Sequence, residues 1–99
     1  MIHEIAILEI KPGTEDDFEL AFAKAGPIFQ RAKGCRSMEI QRCIEHPSRY
    51  TLVVGWDTVE DHMVGFRESA DFLAWRELAG PYFASPPQVT HTRLAARNF

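Results

Sequence analysis

Ninety-nine residues with 45% hydrophobic and 25% charged content describe one globular domain over residues 1–99 rather than a disordered chain. The net charge of −3, with no Lys/Arg cluster, argues against a nucleic-acid partner, because phosphate binding needs a basic face. The opening MIHEIAILEI has no basic leader, and Glu4 and Glu9 interrupt its apolar run, so neither a signal peptide nor a membrane span is expected.

Ile2–Ile10 reads as a strand. Ile5 and Ile7 point one way and Ala6, Leu8 and Ile10 the other, so both faces are largely apolar and the strand is expected to be central. Lys11-Pro12-Gly13 makes a turn, and Thr14-Glu15-Asp16-Asp17 fits a capping box. The helix behind it places Phe18, Ala21, Phe22, Ala25 and Phe29 on one face. Pro27 falls inside that pattern and predicts a kink or a split near Gly26, and Gly34 is expected to end the helix.

Arg36–Ile44 predicts a second strand, with Met38, Ile40 and Ile44 opposite Ser37, Glu39, Gln41 and Cys43. One polar face suits an edge or interface position. His46-Pro47-Ser48 turns the chain back into Arg49–Trp56, which is apolar on both faces and is the second central strand. Thr58-Val59-Glu60-Asp61 is another capping box, and Val59, His62, Met63 and Phe66 follow at helical spacing. Gly65 and Arg67-Glu68-Ser69 weaken this helix before a second apolar series at Phe72, Trp75, Leu78 and Ala79. Ser85-Pro86-Pro87 is a rigid turn, and Gln88–Ala95 is a last strand.

The order β-α-β-β-α-β predicts an α+β, ferredoxin-like fold: a four-stranded antiparallel sheet with both helices on one face. The other face carries Leu, Ile and Val, and a bare apolar face of that size implies a homodimer with sheets packed together. Cys35 and Cys43 lie on or beside one strand. Eight residues of extended chain span ~26 Å, whereas a disulfide holds Cα atoms about 4.4–6.8 Å apart. Free thiols, a reducing compartment and a cytoplasmic location are therefore expected.

The candidate site lies in Val53–Arg76. His62 is one imidazole among apolar residues, and two readings of it compete. It is a general base, or it is a core histidine bonded to a backbone carbonyl or to a side chain of the sheet. Trp56, Phe66, Phe72 and Trp75 form an aromatic wall or simply the core. Arg67 and Arg76 hold an anionic intermediate, or are solvated or paired with Glu68 or Glu77. His91, flanked by threonines on the last strand, faces either the pocket or the dimer seam, while His3 and His46 read as surface. No metal site is expected, because no pair of histidines has a ligand spacing, and no Gly-x-Ser-x-Gly, phosphate loop or Cys-x-x-Cys occurs.

Lys11-Pro12-Gly13, Gly34-Cys35, the run Gly55-Trp56-Asp57-Thr58-Val59-Glu60-Asp61-His62 and Ser69-Ala70-Asp71-Phe72 together resemble the antibiotic biosynthesis monooxygenase family of dimeric α/β barrels. The resemblance covers nearly the whole chain. It implies a homodimer, a pocket in each subunit between sheet and helices, and oxygen chemistry on phenols or quinols with no metal, haem or flavin. That family's oxygenases and its haem-degrading relatives often use a pocket Asn with a Trp and a His or Arg. Here the only Asn is Asn98, and Phe66 and Arg76 stand where haem degraders place Trp and the proximal His. The resemblance thus points away from haem degradation. It leaves two functions: a cofactor-independent monooxygenase of a small aromatic, quinol-type molecule, or a non-catalytic dimeric module that binds an apolar metabolite or only assembles. An open pocket containing His62 favours the first, and an interior filled by side chains favours the second.

Overall fold

The structure, a computed structural model, describes residues 1–99. The elements are β1 (Ile2–Glu9), α1 (Glu15–Gln30), β2 (Cys35–Arg42), β3 (Arg49–Trp56), a π-helical turn (Asp61–Phe66), α2 (Ala70–Ala79), a 3-10 turn (Gly80–Tyr82) and β4 (Gln88–Thr92). The four strands form one antiparallel sheet in the order β2-β3-β1-β4. β1 and β3, the two strands apolar on both faces, are the central ones. No helix is long and apolar enough to cross a membrane.

Strand alternation sets the core. Ala6, Leu8 and Ile10 on the first strand and Tyr50, Leu52, Val54 and Trp56 on β3 are all buried under the helices. From α1 come Phe18, Ala21, Ala25, Ile28 and Phe29. Phe29 is the hub: its ring lies 4.6 Å from Phe66, 5.2 Å from Trp75 and 6.4 Å from Trp56. Full burial of a side chain of this size stabilises by about 1.5–3 kcal/mol, so this cluster dominates the energetics of the helix–sheet contact.

Several local expectations change. Thr14 caps nothing: its hydroxyl donates to the Lys11 carbonyl at 2.7 Å, while Glu15 accepts the Gly13 N–H at 2.9 Å, so the turn claims both side chains. Pro27 neither splits α1 nor ends it, and the Arg31 N–H still reaches the Pro27 carbonyl at 3.3 Å. Pro27 faces solvent one turn from the helix end, where the bond it forfeits matters least. Gly34 lies beyond the helix, in the turn that enters β2. That strand stops at Arg42, leaving Ile44 89% exposed, and β4 stops at Thr92 rather than Ala95.

The broken helix is a π turn followed by a freshly capped α-helix. Thr58 Oγ1 accepts the Asp61 N–H at 3.0 Å, as the capping box predicts. The Arg67 N–H then bonds the His62 carbonyl at 2.9 Å, a step of five residues. This wider turn directs His62 and Phe66 inward, while Val59 stays exposed and Met63 half-buried. Ser69, expected only to weaken the helix, is the N-cap of α2 and accepts the Phe72 N–H at 3.3 Å.

Gly34 locks the start of β2 to the end of β3. It has a φ of +82°, its carbonyl accepts the Asp57 N–H at 2.8 Å, and a Cβ there would strike the Asp61 carboxylate. Gly34→Ala is therefore expected to destabilise by about 1–3 kcal/mol. Gly26→Ala, inside α1 with open space around the new methyl, is expected to stabilise by about 0.5–1 kcal/mol. Urea denaturation of the two variants checks both signs.

Candidate functional site

A cavity of about 680 Å³ lies between the helix-facing side of the sheet, α2 and the segment after the 3-10 turn. Ala6, Leu8 and Leu52 form its floor, and Phe72 and Trp75 its aromatic wall. Its size suits a small organic ligand. The charged or titratable groups on its lining are Glu4, His62, Arg67 and Arg76.

Glu4 was not singled out from the sequence, yet it anchors the polar end. It shares the helix-facing parity of Ala6 and Leu8 on β1 and is 5% exposed. That parity was the available signal: a carboxylate on the apolar face of a central strand needs partners. Trp56 Nε1–H donates to Glu4 Oε1 at 3.0 Å, and His62 Nε2 lies 3.2 Å from the same oxygen. His62 Nδ1 is 2.9 Å from His91 Nε2. Glu4 and His91 sit directly opposite each other in the β1–β4 register, hence on one face. The Trp56 and His62 rings stack, 5.3 Å apart and 19° from parallel.

Protonation follows from partners and burial. Burial raises the Glu4 pKa, against the Trp56 N–H and the Arg67 charge, which lower it. Burial also pushes His62 down to about 4, with His91 and Arg67 adding to the fall. The imidazole is therefore neutral at pH 7, and the Glu4–His62 contact is a close polar approach, not an ion pair. The hydrogen bond that His62 makes is to His91, and which ring donates is set by the tautomer. Oε2 of Glu4 has no protein partner, and no buried side-chain oxygen lacks one, so Oε2 is open to the cavity. The site thus offers one free carboxylate oxygen to a ligand, with the Trp56 N–H bonded to the other oxygen and the His62–His91 pair beside it.

The expected site residues divide. His62, Phe72, Trp75 and Arg67 line the cavity. Trp56 and Phe66 do not: both are core, with Trp56 fully buried beneath Glu4 and His62. His91 touches His62 from β4 rather than lining the cavity, and it is half-buried. His62 Nδ1 is taken up by His91, while Nε2 lies close to Glu4 without a hydrogen bond to it. Arg67 and Arg76 pair with neither Glu68 nor Glu77, because adjacent helical residues point apart. Each instead places its guanidinium carbon 6.0 Å from the Phe72 ring centroid. No group of three His, Cys, Asp or Glu side chains converges on a point that could hold a metal ion. Cys35 and Cys43 are both free thiols, and burial raises the Cys35 pKa.

A family model described as antibiotic biosynthesis monooxygenase matches residues 1–78. The uncharacterized protein YczJ of Bacillus subtilis is 40% identical over 91 residues, covering 92% of this chain and 96% of that one. A candidate antibiotic biosynthesis monooxygenase from Bordetella bronchiseptica has a solved structure with a TM-score of 0.95 and 54% identity, covering 96% of this chain and 97% of that one. SnoaB, a cofactor-independent oxygenase from Streptomyces nogalater, superposes with a TM-score of 0.80 at 12% identity over 98% of this chain and 95% of its own, which shows a shared fold alone.

The depressed His62 pKa has a sign that can be measured. The unfolded chain takes up the imidazole proton near the ordinary value of 6.5, whereas the folded chain takes it up only near 4. Between those values the unfolded state binds more protons, so stability falls as pH drops through this window. The raised Glu4 pKa acts oppositely, removing stability as pH rises through its folded value. Histidine NMR is expected to show the His62 ring neutral down to about pH 4. A titration near the ordinary value would show that the ring is not buried as described.

Proposed function

The chain belongs to the antibiotic biosynthesis monooxygenase family, and from that premise we propose that it oxygenates a small phenolic, quinol-type molecule without a metal or flavin. One observation supports the reading above the others: a buried carboxylate backed by His62 and Trp56 opens one oxygen onto an aromatic and aliphatic cavity. A cavity with His62 on its lining favours catalysis over the filled interior expected of a purely assembling module.

The reaction converts a phenol with a hydrogen on its para carbon, plus O2, into the para-quinone plus water. Glu4 Oε2 takes the phenolic proton, and its pKa, raised by burial, suits a base that must hold that proton briefly. The phenolate passes one electron to O2, giving a phenoxyl radical and superoxide. These recombine as a C–O bond at the para carbon. Glu4 returns its proton to the peroxide, and loss of water across the C–O–O–H unit leaves the second carbonyl. Trp56 Nε1–H holds the carboxylate in place and stabilises its anion, and the His62 ring packs beside it. Phe72 and Trp75 pack against the ring and help to exclude water.

We further propose that the protein is a homodimer. Ile5, Ile7 and Val53 lie half-buried on the sheet face that carries no helix in this chain, and a second sheet would cover them. A single dimeric species is expected in sedimentation at micromolar concentration, and a stable folded monomer would refute it.

Glu4→Gln keeps an acceptor for Trp56 but cannot take a proton at the cavity. It is expected to slow oxygen uptake with a dihydroxynaphthalene by about 10²–10⁴-fold, with the melting temperature little changed. His62→Ala is expected to lose both activity and melting temperature, because it removes a buried ring stacked on Trp56 and leaves His91 without its partner. Wild-type rates in Glu4→Gln would remove the carboxylate from the mechanism.

A further inference from the structure

The cavity has a cationic rim that the oxygenase chemistry does not require. Among the arginines of the folded elements, Arg31, Arg36, Arg42 and Arg49 each reach a carboxylate at 3.5 Å or less. Arg67 and Arg76 reach none, and both line the cavity on either side of Phe72. They come from separate elements: Arg67 follows the π turn and Arg76 lies in the last turn of α2. Glu4 is the only acid on the lining. Since His62 is neutral at pH 7, the cavity carries a net positive charge in a chain whose own net charge is −3.

A guanidinium beside an aromatic face is well placed to grip an anion. Stacking on Phe72 limits its motion, and its planar fork matches a carboxylate with two N–H donors. The rest of the lining is mostly apolar, including Leu52, Trp75, Phe83 and Val89. We infer that the natural ligand is an aromatic carboxylate, its acid group held by Arg67 and Arg76 and its ring against Phe72 and Trp75. The substituent that reacts then points toward Glu4.

The inference deepens the oxygenase reading but is tested by binding alone, without turnover. Trp75 lines the cavity and Trp56 does not, so intrinsic fluorescence reports occupancy. Wild-type protein is titrated under nitrogen with 1-hydroxy-2-naphthoate and with 1-naphthol, which share a ring system and differ by the carboxylate. The acid is expected to bind at least about tenfold more tightly, with a preference that shrinks as salt is raised. In the Arg67→Gln/Arg76→Gln double variant the two ligands are expected to bind equally, with 1-naphthol affinity unchanged. Arg67→Lys/Arg76→Lys keeps the charge and is expected to retain part of the preference. Equal binding of both ligands to wild type overturns the inference without touching any variant's fold, and so does a preference that survives in the double Gln variant. Oxygen uptake is measured separately. A carboxylate preference with no oxygen uptake from any phenol would uphold the ligand class and overturn the oxygenase reading. Uptake from neutral quinols with no carboxylate preference would do the reverse.

Discussion

The local structure turns on keeping one carboxylate buried. Glu4 lies on a central strand, on the face that α1 and α2 cover, where an isolated carboxylate is heavily penalised. One N–H group answers part of that penalty: Trp56 supplies it from the end of the neighbouring strand, while His62 from the turn beyond packs its ring edge close to the same oxygen. These two residues lie 52 and 58 positions along the chain from the carboxylate, so the Glu4 site exists only once β1 and β3 have paired. The Ile2–Trp56 register that closes their pairing at this end sets the indole beside Glu4.

The π turn is the local device that completes the arrangement. An ordinary helix starting at Thr58 would present Val59, His62, Met63 and Phe66 together. The five-residue step from His62 to Arg67 instead brings His62 and Phe66 to the interior and releases Val59. The same step delivers Arg67 to the cavity. It weakens one turn of helix, and the chain recovers at once with the Ser69 cap. Irregular turns of this kind recur where a side chain must be aimed rather than merely packed.

Much of the fold was legible because its signals are local and repeated. Alternation in Ile2–Ile10 and Arg49–Trp56 identified the central strands, and the spacing from Phe18 to Phe29 identified the buried face of α1. Errors gathered where one side chain chose between two nearby partners. Thr14 bonded its turn instead of its helix, and Pro27 was tolerated because it faces solvent near a helix end. The site was legible only in part. His62 stood out as an imidazole among apolar residues. Glu4 did not, because in a strand its position reads as an interruption until the face it shares with Ala6 and Leu8 is known to lie under helices. For Trp56 and Phe66 the wall and core readings stayed open, because aromatic spacing cannot distinguish a wall from what stands behind it.

The molecule divides its labour along the sheet. Phe18 stacks edge-on to Tyr50 at 5.0 Å, and Tyr50 donates to Glu19 at 2.6 Å, so that end of the α1–sheet contact is packed and hydrogen-bonded. Under α2 the packing opens instead, and the apolar residues that would fill a core there line a cavity. Phe29 joins the two regions, since its ring touches Trp56, Phe66 and Trp75 at once. Trp75 has one side on this rigid cluster and the other on the cavity. Rigid packing behind a cavity wall is what keeps an opening of this size from collapsing. In this chain that support runs through the same Trp56 that holds Glu4, so one indole serves the core and the carboxylate together.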